Sequence, residues 1–241
     1  MTDSRVLIVG GGSGMGLALA DSLLAGGARV MIAGRSGERL AAAARRLDRG
    51  ERLRTSQVDV GREDQVRRLL AEAGRLDHVV VTAADATGAY APLPGFDVQA
   101  ARSVIDTKLL GPWLIAKHAG PVLAPGASIT FTSGIAAYRP GPGASMVASA
   151  NGALEALARA LAVELAPIRV NVVSPGWVDT PVWDTLAGDA KAERLAAMAA
   201  RLPAGRIGRP ADIAKAFEAV MGNGFITGTV VHVDGGHRLV Q

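Results

Sequence analysis

The residues with the clearest chemical meaning lie near the start of the chain, in Val9-Gly10-Gly11-Gly12-Ser13-Gly14-Met15-Gly16, between a short apolar run and a segment of helical periodicity. A turn of positive φ, a backbone that must touch a ligand and a helix that must press on a strand all exclude a β-carbon, and glycine meets each demand. The free N–H groups that open the following helix then face an anion. Glycine-rich stretches are also plain turns, but between a buried strand and a helix the reading is a diphosphate cradle made by Gly10, Gly12, Ser13, Gly14, Met15 and Gly16. A second group follows the next apolar run, in Ile32-Ala33-Gly34-Arg35-Ser36. A site for NAD places a carboxylate here, about 20 residues past the glycines, to hold ribose hydroxyls. This chain offers Arg35, whose fork suits a 2′-phosphate, and the hydroxyl of Ser36. NADP(H) is the expected cofactor, with NAD(H) the alternative if Arg35 is only a solvated loop residue.

Elements alternate so as to hold these groups. Apolar runs at 5–9, 29–33, 53–58, 78–81, 127–132, 169–173 and 229–233 predict about seven strands. Helical periodicity at 15–25, 38–49, 66–73, 99–119 and 144–165 fills the gaps, with Pro112 kinking or dividing the fourth. Strand-helix units in series predict an α/β, single-domain, doubly wound parallel sheet, the Rossmann fold, with helices on both faces. Residues 1–241 read as this one domain, without a linker or internal repeat. The exception to the alternation is 177–210, rich in Pro, Gly and Asp with a helix-like piece at 190–201, and it reads as a lid over the site.

Composition narrows the partners. Hydrophobic residues at 49% and charged residues at 20% fit a globular domain. No apolar run approaches the roughly 20 residues that a membrane-spanning helix needs, so no membrane partner is expected. The absence of cysteine excludes disulfides, thiolate metal sites and cysteine nucleophiles, and no metal is expected. A net charge of +4 raises nucleic acid as a partner, yet the basic residues are spread over several helices and aromatics are only 4%, without the clustered stacking platforms that single strands need. A small-molecule substrate is expected instead. Met1-Thr2-Asp3-Ser4-Arg5 lacks the layout of a signal peptide, which makes a cytoplasmic location the expectation.

The spacing Gly10-x-x-x-Gly14-x-Gly16 resembles that of the short-chain dehydrogenase/reductase family, and the resemblance continues along essentially the whole chain. Val9 stands where the family has Thr. Asp59 and Val60 follow the third strand, where the resemblance implies contact with adenine. Val81-Thr82-Ala83-Ala84 replaces the family's Asn-Asn-Ala-Gly, keeping small Ala83 and Ala84 beside the ribose and losing the asparagines. In Pro175-Gly176-Trp177-Val178-Asp179-Thr180, the resemblance implies that Pro175, Gly176, Val178 and Thr180 meet the nicotinamide carboxamide. Arg206-Ile207-Gly208-Arg209-Pro210, Phe225-Ile226-Thr227-Gly228 and Val233-Asp234-Gly235-Gly236 complete the likeness. They imply a homo-oligomer, dimer or tetramer.

The resemblance also implies a catalytic tetrad of Asn, Ser, Tyr and Lys, and here the chain departs from it. Ser133, in Thr132-Ser133-Gly134, stands at the serine position. The stretches Asn151-Gly152-Ala153-Leu154 and Val170-Asn171-Val172-Val173-Ser174-Pro175-Gly176 register without gaps, which sets Asn151 at the lysine and Val147 at the tyrosine. Asp106-Thr107-Lys108-Leu109-Leu110-Gly111 resembles the family's Val-Asn-Leu-x-Gly and sets Lys108 at the asparagine. Asn and Lys are thus exchanged, in a chain with only four lysines. Lys108 is expected to return a positive charge to the cleft; the alternative is a lysine in solvent near the helix break. Val147 cannot move a proton, and loss of a positioned acid costs about 10²–10⁴ in rate. Tyr138 and Tyr90 read as packing residues with access to the cleft, and His118 as structural.

Three functions remain open at this point. One is an atypical oxidoreductase moving hydride between NADP(H) and a small carbonyl, imine or enone, since an electrophile already activated needs less acid catalysis. Another is a nucleotide-binding sensor or structural protein without turnover. The last is a non-redox isomerase or cyclase on the same scaffold.

Overall fold

The computed structural model describes residues 1–83 and 88–240. Its sheet is built from β1 (Arg5–Val9), β2 (Arg29–Gly34), β3 (Leu53–Gln57), β4 (Leu76–Val81), β5 (Leu123–Thr132), β6 (Arg169–Pro175) and β7 (Val230–Val233). All are parallel, in the order β3-β2-β1-β4-β5-β6-β7. The order reverses between β1 and β4, and in such sheets ligands enter the crevice beyond the carboxyl ends of the strands at that switch. The expected doubly wound sheet is therefore the observed one.

Parallel strands are covered on both faces, so their runs are apolar throughout and adjacent residues enter different cores. Leu7 and Val9 of β1, with Ile129 and Phe131 of β5 and Val170 and Val172 of β6, pack on α3 (Glu63–Ala73), α5 (Gly111–Ala119) and α6 (Ser145–Glu164). Val6 and Ile8, with Ile32 and Val173, pack on α1 (Gly14–Ala25), α2 (Gly37–Leu47) and α9 (Pro210–Gly222). The sequence reading passed over α9. Pro210 occupies its first turn, and the Asp212 carboxylate accepts the Arg209 N–H at 2.8 Å, one half of a capping box, with Ile213 and Phe217 behind it on one face. The Arg206 guanidinium holds Asp212 down to about 2.

Two further segments refine the reading. The helix expected at 99–119 is three pieces: α4 (Val98–Ile105), a π-helical turn over Asp106–Leu110, and α5, with Pro112 just past the boundary between the π turn and α5. The lid holds α7 (Val182–Ala187) and α8 (Lys191–Arg201). Contrary to the expectation that no segment is long and apolar enough, α6 could cross a membrane by length and composition alone. It lies instead on the sheet through Leu154, Ala158 and Leu161, and it buries Asn151 and Glu155.

Candidate active site

The glycine loop is closed too tightly for side chains. An added β-carbon would lie 2.6 Å from the Ala83 nitrogen at Gly10 and 2.4 Å from the Gly10 carbonyl oxygen at Gly16. Gly10 also has φ +94°, a value that L side chains avoid. Gly12, by contrast, has room: its nearest neighbours, on Arg39 and Leu40, start at 3.6 Å. Ser13 opens α1 in extended conformation without capping it by its side chain, and Met15 packs on the core beneath α1. Val9 is buried, and the hydroxyl of Thr82 lies 3.2 Å from both the Val9 and the Gly10 carbonyl oxygens. Thr82 thus ties the loop to the end of β4, a role the sequence reading did not assign. A polar residue just past β4, aligned with the loop across the β1–β4 pair, was the available signal.

At the adenosine end, Arg35 is exposed and its carbonyl accepts from Gln57 Nε2 at 2.9 Å. The Ser36 hydroxyl accepts the Arg39 N–H at 3.2 Å and caps α2. One Asp59 oxygen accepts the Gly61 N–H at 3.0 Å. Val60 is buried against Gly111, where a β-carbon would come within 2.7 Å of it. Ala83 lies beside Gly10, and Ala84 lies outside the described residues.

The exit of β6 completes the rim. A β-carbon on Gly176 would meet Asp234 Cα at 2.7 Å, so the Pro175-Gly176 backbone passes tightly under the C-terminal turn. Val178 bridges to Gly208 and accepts the Trp183 indole N–H at 2.9 Å, while Trp177 and Trp183 pack with ring centroids 4.4 Å apart. Thr180 is buried and lies 3.4 Å from the position of a Gly14 β-carbon. The root of the lid therefore touches the glycine loop.

The catalytic positions come together around the end of β5. The π turn aims Lys108 inward, where its ammonium donates to the carbonyl oxygens of Thr132 at 3.1 Å and Ser133 at 3.3 Å. Burial pulls its pKa down to about 8. Asn151 is buried on α6; its Nδ2 donates to the Gly134 carbonyl at 3.5 Å, and its Oδ1 is buried without a partner. Val147, one turn earlier, lies in an apolar cluster with Ala89, Val104 and Ala150. The Ser133 hydroxyl does not point into the open cleft: it is buried and donates to Glu155 at 2.8 Å. The Tyr138 hydroxyl donates to the other Glu155 oxygen, and burial with that bond pushes Tyr138 up to about 12. Tyr138 therefore has a polar partner beyond packing, its ring edge-on to His232 at 4.8 Å. Tyr90 is exposed on the loop after β4, and His118 pairs with Glu63 at 2.7 Å on the outer surface, away from Lys108.

Glu155 is the residue that sequence reasoning missed. A carboxylate one turn past Asn151, on the face that also carries Leu154 and Ala158, was its visible signature.

Comparison with known proteins decides the family. The chain is similar to Short-chain dehydrogenase/reductase ATR9 of Stachybotrys chlorohalonatus, 36% identical over 96% of this chain and 95% of that protein. It is 37% identical to Short-chain dehydrogenase/reductase malC of Malbranchea aurantiaca over 98% and 94% of the two chains. The family profile described as Enoyl-(Acyl carrier protein) reductase matches residues 10–238. This chain belongs to the short-chain dehydrogenase/reductase family. The solved structure of MalC Reductase/Diels-Alderase superposes with a TM-score of 0.92 at 35% identity, covering 99% of this chain and 97% of that one. A small-chain dehydrogenase in complex with NADPH superposes at 0.84 with 31% identity, covering 98% and 99%. As a short-chain dehydrogenase/reductase the protein is an oxidoreductase with a nicotinamide cofactor site, and its residues fit that group. The loop at Gly10 and Gly16 excludes any β-carbon, and α1 begins at its rim.

Proposed function

We propose that the protein transfers hydride between NADP(H) and a small organic carbonyl, imine or enone, with Lys108 as the cation of the active site. The observation that carries this reading is the Lys108 ammonium turned inward at the end of β5, held by the Thr132 and Ser133 carbonyls beside the Gly134 carbonyl that Asn151 meets. Backbone groups of Gly10, Gly12, Ser13, Gly14, Met15 and Gly16 would hold the pyrophosphate, and Arg35 with Ser36 the 2′-phosphate. Asp59, Val60, Ala83 and Ala84 would line the adenosine, and Pro175, Gly176, Val178 and Thr180 the carboxamide. The unpartnered Asn151 Oδ1 suits a ribose hydroxyl donor. The bound cofactor supplies the hydride. Lys108 polarises the electrophile, and its ammonium, releasing a proton near about 8, is acidic enough to supply the accompanying proton near neutral pH. Val147 contributes shape only. The lid at 177–210 would close the substrate end, and the likeness to the family supports assembly with a second copy.

The test is to follow NADPH absorbance with purified protein and a panel of ketones, imines and enones. Oxidation above the blank that favours imines or enones over simple ketones is the expected result. A second reading has its own support: the Ser133 proton is committed to Glu155 and Val147 has none to give, as in a nucleotide-binding protein without turnover. Tight NADPH binding with no oxidation across the panel would favour that reading and end the first.

A further inference from the structure

Glu155 stands at none of the positions that the family's tetrad occupies, yet it is the most constrained carboxylate beside the site. It is 6% exposed. A carboxylate buried this deeply costs several kcal/mol unless its oxygens are hydrogen-bonded, and an apolar residue of similar size costs nothing of the kind. Packing alone is therefore a poor account of it. Both oxygens are used, one by the Ser133 hydroxyl and one by the Tyr138 hydroxyl.

Side-chain alternation explains how Ser133 meets Glu155. Ile129 and Phe131 face the α6 side of the sheet, and Ser133 continues that row just past the end of β5. Ser133 is then held at three points. Its N–H donates to the Val173 carbonyl at 3.1 Å, its hydroxyl to Glu155 at 2.8 Å, and its own carbonyl accepts from Lys108 at 3.3 Å. We propose that Glu155 is a positioning residue of this active site: by fixing Ser133 from beneath, it aims the Thr132 and Ser133 carbonyls that hold the Lys108 ammonium. Ser133 then acts through its carbonyl, and its hydroxyl serves the clamp. This inference rests on the reading of Lys108 as the cation of the site. The charged and titratable groups around the β5 exit are Lys108, then Glu155 and Tyr138 below Ser133, with His232 against the Tyr138 ring, Arg159, Arg238 and Asp234 near these, and Asp106 exposed on the π turn.

The experiment uses the full chain labelled with carbon isotope at the lysine ε-carbon. The four lysines give few resonances, and Lys108→Met assigns one of them. Titration is read in the wild type, Glu155→Leu, Ser133→Ala and Glu155→Gln, alongside NADPH oxidation. In Glu155→Leu and Ser133→Ala the exit loosens and water reaches Lys108. Its midpoint is expected to climb by about one unit toward that of an ordinary lysine. Turnover is expected to fall by about tenfold in kcat, with KM for NADPH within about twofold. Glu155→Gln keeps an acceptor for the Ser133 proton and is expected to preserve both. If Glu155→Leu does not fold, Ser133→Ala carries the test. An unchanged Lys108 midpoint and kcat in these variants overturns the proposal. The titration needs no turnover, so a protein that shows the shift but never oxidises NADPH sinks the redox reading and leaves the clamp standing.

Discussion

The glycine loop after β1 is a site made of backbone; the exit of β5 is a site made of side chains and the carbonyls they grip. The glycine loop works through amides and absent β-carbons, and it closes on itself to within 2.4 Å of where a side chain would begin. The β5 exit works through Lys108, Ser133, Asn151 and Glu155, whose positions depend on one another through hydrogen bonds. The first region binds a group whose shape is fixed, so its residues admit little substitution. The second carries its chemistry on side chains, the part of a scaffold that can vary from one reaction to another.

Substitutions in each region sharpen the contrast. The largest effect is expected on the side-chain half. Lys108→Met should lower kcat by about 10²–10⁴, the range for loss of a positioned acid, while NADPH affinity measured by calorimetry stays within about twofold. The wild-type rate should be flat below about pH 8 and fall above it, as Lys108 loses its proton. Stability runs the other way. The folded state releases this proton near about 8 and the unfolded chain near about 10.4, so between those values the unfolded state binds more protons. The penalty of burying the ammonium is therefore fully present below about 8 and fades as pH rises through that window. Lys108→Met should raise the Tm measured near neutral pH, and a lowered Tm would break the comparison.

On the backbone half, Gly16→Ala drives a methyl into the Gly10 carbonyl. Overpacking of this kind costs about 1–3 kcal/mol, so NADPH affinity should fall by about tenfold to a hundredfold, together with Tm. Gly12→Ala separates folding from binding: its new carbon meets no protein atom closer than 3.6 Å, so Tm should hold, and any loss of NADPH affinity then reports contact between this position and the cofactor. Arg35→Glu is expected to have a smaller effect, weakening NADPH by about tenfold and leaving NADH equal or stronger, as loss of a charge-assisted contact predicts. Thr82→Val should have the smallest effect, a Tm decrease set by the loss of one hydroxyl interaction of about 1 kcal/mol.

The same division decides what could be read from the sequence. The sheet, its order and the glycine loop follow from apolar periodicity and from glycines whose reason is local. Strands such as β1 (Arg5–Val9) match to the residue. Lys108 and Asn151 were visible as an exchange of residue types, but their contacts were not, because the carbonyls of Thr132 and Ser133 that hold Lys108 lie over 20 residues away and carry no side-chain signal. Glu155 escaped for a related reason: its partners arrive from β5 and the turn after it. The resemblance set Ser133 at the tetrad's serine position, whereas strand alternation turns its hydroxyl under α6. The helix α9 was missed because its start lies under a motif, Arg206-Ile207-Gly208-Arg209-Pro210, read only for its likeness to relatives.

The π turn at Asp106–Leu110 has a reach beyond Lys108. Such a turn widens the coil by accommodating one residue more than α-helical spacing allows, so the segments on either side are out of phase by about 100°. That offset lets α4 lean on α6 while α5 leans on α3. Deleting Thr107 would bring the two stripes into line, turn Lys108 by about 100° relative to α4 and unseat one of the two neighbours. The ammonium's address and the seating of two helices thus hang on the same extra residue.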